Sequence, residues 1–152
     1  MGSVFDFVRF LATGTTGFTS AGLGSAEAEV RGAAAAAGLA VTRAELDPGA
    51  GAFGIFAGGV EFLFDDDQLT CVQFEVDRTG PLDLAGTRVG EDTTLEEFTR
   101  ALDRVGIGWS VGVSSGGEPV VETTGSVRCH FTAEAPHRYV TAIATVGTPA
   151  VG

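Results

Sequence analysis

Lysine is absent from this chain, and its nine basic residues are all arginine, set against 20 aspartates and glutamates for a formal net charge of −11. A surface of that sign repels nucleic acid phosphates and anionic membranes, because contact adds repulsion instead of releasing counterions. Nucleic acid and membrane partners are therefore not expected, whereas a basic protein would be steered in. Cysteine is scarce as well. Cys71 and Cys129 are the only two, too few for the disulfide framework of a small secreted scaffold. Two reduced buried thiols are the simple expectation, and a single bridge is the alternative.

Long apolar runs are missing too. The longest, such as residues 32–41, are rich in Ala and Gly and fall well short of the ~20 residues that cross a bilayer. The opening MGSVFDFVRFLATG has no positive cluster ahead of its apolar part, carries Asp6 and Arg9 inside it, and lacks the cleavage pattern of a secretory signal. Nor does it hold the Ser or Thr at the sixth position that myristoylation requires. A short structured helix and a bacterial cytoplasmic location are expected.

Apolar residues, by contrast, make up 44% of the 152, enough for one core and one domain spanning 1–152. Within it the chain is written twice. LGSAEAEVRGAAAAAGLAV at 23–41 aligns with VGEDTTLEEFTRALDRVGIGW at 89–109, GGVEFLF at 58–64 with GSVRCHF at 125–131, and LTCV at 69–72 with VTAI at 140–143. Two structural repeats, 23–77 and 89–146, follow.

In the second, Thr93-x-x-Glu96 reads as a capping box, and Leu95, Phe98, Leu102 and Val105 recur at helical spacing until Gly106. The first helix buries mostly alanines and contributes less apolar area. Strands are predicted at 39–46, 52–57, 59–65 and 69–77, then at 107–114, 118–123, 126–132 and 138–146, with RTGPLDLAGTR at 78–88 as the connector. Reversals this short cannot make parallel crossovers. The predicted fold is α+β: two tandem helix-plus-four-strand halves forming an antiparallel sheet, with helices packed on one face and the other face free.

The acidic run VEFLFDDDQLTCVQFEV at 60–76 places Val60, Phe62 and Phe64 on one side of a strand and Val72, Phe74 and Val76 on one side of its return. Asp65, Asp66 and Asp67 then belong to the hairpin reversal, about five residues long, where aspartate caps backbone N–H groups. A calcium loop would need alternating oxygen ligands, a glycine bend and a distal Glu. Cys129 and His130 are neighbours on a strand, point to opposite faces and cannot chelate one metal together, and His137 lies in the next hairpin. The glycine-rich run at 14–27 lacks the lysine of a phosphate loop. No catalytic residue, metal site or cofactor is expected. The apolar start, with Val4, Phe5, Phe7, Val8, Phe10 and Leu11, calls for docking on the core or on a second copy. Trp109 fits either the core or a binding face.

With those elements in place, residues 24–30, 93–98 and 60–74 resemble the immunity proteins of bacterial polymorphic toxin systems, in which G-x-[ST]-x-x-E-[VF] precedes such a strand pair. The helix-then-four-strand halves are also similar to the tandem-repeat beta-lactamase inhibitory proteins. The resemblance implies a non-enzymatic inhibitor that neutralises a toxin or enzyme by covering it. The expected contacts are Glu61, Asp65, Asp66, Asp67, Glu75, Asp77 and Trp109, against a basic protein such as a toxin or nuclease, from a monomer or homodimer. The competing expectations are a small-molecule or catalytic pocket between helix and sheet, which has only Cys71, Cys129, His130, His137 and scattered acids to draw on, and a structural or oligomerising domain.

Overall fold

A computed structural model of the chain describes residues 6–14, 26–47 and 52–145. Val4, Phe5 and nearly all of the glycine-rich run lie outside them. The described architecture is α+β, dominated by one eight-stranded antiparallel sheet in the order β1-β2-β3-β4-β10-β9-β8-β7. Its strands are β1 (Val41–Asp47), β2 (Ala52–Ala57), β3 (Val60–Asp65), β4 (Gln68–Glu75), β7 (Trp109–Val113), β8 (Pro119–Thr123), β9 (Arg128–Phe131) and β10 (Tyr139–Thr145). Neighbours in sequence pair in space, and the sheet is completed where β4 meets β10 from Glu75 opposite Thr141 to Cys71 opposite Thr145.

Strand alternation divides the side chains between two faces. One face carries Phe53, Ile55, Phe62, Phe64, Val72, Phe74, Ala142, Cys129, Phe131 and Val121, all buried. Three helices lie against it: α1 (Phe7–Thr13), α2 (Glu27–Ala36) and α4 (Leu95–Val105). Phe10 of α1 sits 4.4 Å from the Phe74 ring, and Phe98 of α4 lies 5.3 Å from Phe131 and stacks on Tyr139 at 5.7 Å. Each such aromatic contributes roughly 1.5–3 kcal/mol by leaving water. α2 buries only Val30 and Ala34, as its alanine-rich face implies.

The helix ends show how local chemistry sets the elements. Thr94 is the N-cap of α4: its hydroxyl accepts Glu97 N–H at 3.2 Å while the Glu97 carboxylate accepts Thr94 N–H at 3.0 Å. The capping box is thus one residue later than the Thr93–Glu96 expectation. Thr93 is buried, its hydroxyl accepting Gly90 N–H at 2.8 Å and donating to the Arg88 carbonyl at 3.2 Å. In α1, the Asp6 carboxylate accepts Arg9 N–H at 3.0 Å, and Gly14 closes the helix with φ of 79°. The α1 C-terminus is then held to the sheet by Thr123, whose hydroxyl donates to the Leu11 carbonyl at 2.5 Å. A Cβ on Gly125 would stand 2.6 Å from the Thr13 nitrogen, so only glycine lets the β8–β9 turn approach so closely.

Two further segments are more tightly built than expected. The connector at 78–88 is structured: it takes in the second half of α3 (Val76–Thr79) and nearly all of a hairpin, β5 (Leu82–Leu84) and β6 (Thr87–Val89), whose Leu82, Leu84 and Val89 join the core. The reversal after β3 is tighter than about five residues, because Asp65 still pairs with Gln68 and only Asp66 and Asp67 turn the chain. Both take positive φ, 50° and 62°, as the two-residue hairpin turn with the favoured twist requires.

Candidate functional site

The second face of the sheet is the candidate. Following the register from β1 to β7, one row runs Thr42, Phe56, Glu61, Gln73, Ile143, Arg128, Glu122, Ser110, and a shorter row runs Ala44, Gly54, Leu63, Cys71, Thr145. Phe56, Leu63, Gln73 and Ile143 are half-buried, with no helix among the described residues lying across them. A half-apolar, half-charged sheet surface of this kind can receive another macromolecule, since buried apolar anchors hold a complex while charges orient it.

Arg78 organises one end. Projecting from α3, its guanidinium lies 4.8 Å from the centre of the Phe56 ring, 3.3 Å from the Glu61 carboxylate and 3.9 Å from that of Glu75. Glu61 and Glu75 are therefore brought together, but as partners of one arginine. Arg78 did not figure among the sequence candidates. The cue was its place three residues after Glu75, a spacing that brings side chains together once the segment coils.

Cys71 lies beside this group. Burial, then the Glu61 charge, pushes its thiol up to about 11. It stays protonated near neutrality and is a weak nucleophile. Cys129 is fully buried on the helix-covered face, where burial raises its thiol still further. Both cysteines are free, and the sheet stands between them.

At the other end, a hollow of about 340 Å³ is lined by Ser110, Gly112, Val120, Glu122, Arg128 and His130 among others. Burial lowers the His130 pKa, the nearby Glu118 charge opposes that shift and Arg128 reinforces it. A neutral imidazole beside an Arg128–Glu122 pair at 3.9 Å can offer one donor and one acceptor to a ligand. Among the described residues, no group of three or more histidine, cysteine, aspartate or glutamate side chains is arranged to hold a metal ion. His137 is elsewhere, with Nδ1 2.9 Å from the Thr132 carbonyl.

The remaining sequence candidates disperse. Asp65 and Asp66 are exposed at the β3–β4 tip. Asp67, also exposed, is committed to another helix: its carboxylate accepts Glu27 N–H at 3.0 Å at the start of α2. Asp77 lines a separate hollow of about 570 Å³ with Arg88, Glu91, Asp92 and Glu97. Trp109 lies on the helix-side face of the edge strand β7, five strands from β3 and so about 24 Å away at ~4.8 Å per strand. Its indole N–H donates to Asp103 at 2.8 Å, and 37% of the residue is exposed. Among the described residues, no helix is long and apolar enough to cross a membrane. Comparison of the chain with protein families, with curated proteins and with solved structures found no match.

Proposed function

We propose that this chain is a non-enzymatic protein-binding inhibitor, of the kind represented by bacterial immunity proteins, that covers a basic toxin or enzyme with the open face of its sheet. The observation that carries the reading is that face itself: a broad antiparallel surface in which Phe56, Leu63 and Ile143 stand half-buried beside Glu61, Glu75 and Glu122. The net charge of −11 would speed the encounter with a basic partner, and the apolar side chains would hold it. Asp65 and Asp66 extend the acidic contact at the β3–β4 tip, whereas Asp67 serves the turn and α2.

The strand order supports the tandem-halves reading of 23–77 and 89–146. Two four-strand meanders, each entered from a helix, α2 and α4, meet along their last strands β4 and β10. Such a junction yields one continuous surface wide enough for a protein partner. The reading is tested by capture of partners from a lysate of the source cell at low and high salt. A basic toxin- or nuclease-like protein, retained at low salt and weakened at high salt, is the expected result. Absence of any basic protein at low salt removes the proposal.

A further inference from the structure

The hollow at Gly112 and the hydroxyl of Thr141 belong to one row of the open face. Gly112 pairs with Val120, Val120 with His130, His130 with Thr141, and Thr141 with Glu75 on β4. Strand alternation sets these side chains on the face away from the helices. Thr141 is only 7% exposed, and among the described residues its Oγ1 is the one buried side-chain oxygen or nitrogen without a hydrogen-bond partner. Buried hydroxyls are nearly always bonded, and an orphan marks a place where a further group is to be received. A register shift in β10 falls between Tyr139 and Thr141, an irregularity of the kind that re-aims side chains.

The groups around it are uncommitted as well. Among the described residues, the Ser110 hydroxyl and the His130 imidazole make no hydrogen bond to the protein, and the Arg128 guanidinium has only Glu122, at 3.9 Å and with both side chains half exposed. A pair so long and so exposed is weakly held. Gly112 leaves room above the sheet, since a Cβ there would meet nothing within 4 Å, and half-buried Val120 beside it adds an apolar patch. At about 340 Å³ the hollow is at the small end of ligand pockets. Charge decides what fits. An anion would face Glu122 and the Glu118 charge that His130 feels, and a cation would face Arg128. A neutral ligand meets neither penalty, and it can use the guanidinium and hydroxyls as donors and the carboxylate and imidazole as acceptors. A sugar ring has this character. Each of its hydroxyls both donates and accepts, adjacent pairs match two N–H groups of a guanidinium or the two oxygens of a carboxylate, and its C–H face suits Val120.

We infer that this hollow is a binding site for a neutral sugar ring. Arg128 and Glu122 each take a pair of adjacent hydroxyls, Ser110 and His130 bond further ones, and Thr141 supplies a hydroxyl that rotation of the His130 ring uncovers. The site goes beyond the inhibitor reading and does not depend on a basic protein covering the face. Binding of one ring to so open a site is expected in the millimolar range, because few atoms are removed from water.

NMR titration of the His130 imidazole at neutral pH tests this with glucose, galactose, mannose and maltotriose, and with acetate and methylammonium as charged controls. At least one sugar is expected to shift the His130 resonances saturably, and neither charged control is. A response to maltotriose alone would assign the site to a glycan chain, and a response to a monosaccharide to a free sugar or a chain end. Gly112→Val fills the hollow from a position with open space around it and should abolish the shift. Thr141→Val keeps the shape and removes a hydroxyl that bonds to nothing in the protein, so binding should weaken roughly 3–10-fold while the denaturation midpoint holds or rises. A purely structural hydroxyl would lower the midpoint instead. The valine at 141 answers independently should Gly112→Val fail to fold. A wild type whose His130 responds to no sugar, a response to a charged control alone, or a Thr141→Val variant of unchanged sugar affinity overturns the assignment.

Discussion

The carboxylate of Asp67 accepts the backbone N–H of Glu27 at 3.0 Å across a sequence separation of 40. The residue before α2, Ala26, has no side-chain oxygen, so the cap that a serine or aspartate there would provide comes instead from a turn far along the chain. Asp67→Ala should lower stability by about 1 kcal/mol through loss of that cap, with a further cost from the positive φ. Asp67→Asn keeps both an acceptor and tolerance of that backbone and should stay within a few tenths of a kcal/mol of the wild type. Urea denaturation of the two variants checks this; equal losses would mean that the carboxylate does not cap α2.

The attachment of α1 makes a second test. Thr123→Val keeps the shape and removes the hydroxyl that donates to the Leu11 carbonyl, at an expected cost of about 1–3 kcal/mol. Gly125→Ala should be worse, because its Cβ would stand 2.6 Å from the α1 backbone at Thr13, a clash that the backbone must move to relieve. If α1 were loosely held, hydrogen exchange in Phe10 and Leu11 would be fast in the wild type and neither substitution would change it.

The cysteines differ in accessibility but share a reluctance to ionise. With its thiol pushed up to about 11, Cys71 should alkylate slowly at pH 8, and its rate should rise roughly tenfold per pH unit over the next two. Cys129 should react only after unfolding. Mass spectrometry of trapped thiols separates the two; rapid labelling at pH 8 or a disulfide between them would contradict the arrangement.

His130 supplies a pH dependence of defined sign. Its folded pKa lies below the ordinary 6.5, so the unfolded chain binds the proton more readily. The contribution of neutral His130 to stability is complete above about pH 6.5 and is lost as pH falls from there through its folded pKa. The effect should be small for a half-buried ring, and His130→Gln should remove it. An imidazole NMR titration with its midpoint at or above 6.5 would reverse the sign.

What could be read from the sequence was what depends on local periodicity. The strand alternation of Phe62 and Phe64, the apolar spacing of Phe98 and Leu102, and the stop at Gly106 are short-range signals, and the large antiparallel sheet follows from them. The one-residue error at Thr93 arose because two adjacent threonines each have an acid three residues on, and only the tertiary burial of Thr93 decides between them. β5 and β6 were missed because each is only three residues long and is stabilised by burying Leu82, Leu84 and Val89 rather than by its own pattern. At the candidate face, the acids were visible but their partner was not. Arg78 reaches Glu61 and Phe56 through packing across the sheet, which a linear pattern does not encode. Asp67 likewise looked like one of three equivalent turn acids, and α2 alone makes it different.

Whether the open sheet face receives a basic protein is decided by placing positive charge on it. Leu63→Arg combined with Ile143→Arg would place two cations on that face without entering the core behind it. Capture from source lysate should then lose the basic partner that the wild type retains, while the denaturation midpoint stays close to that of the wild type. A variant that folds normally and captures the same protein with undiminished yield would contradict the account.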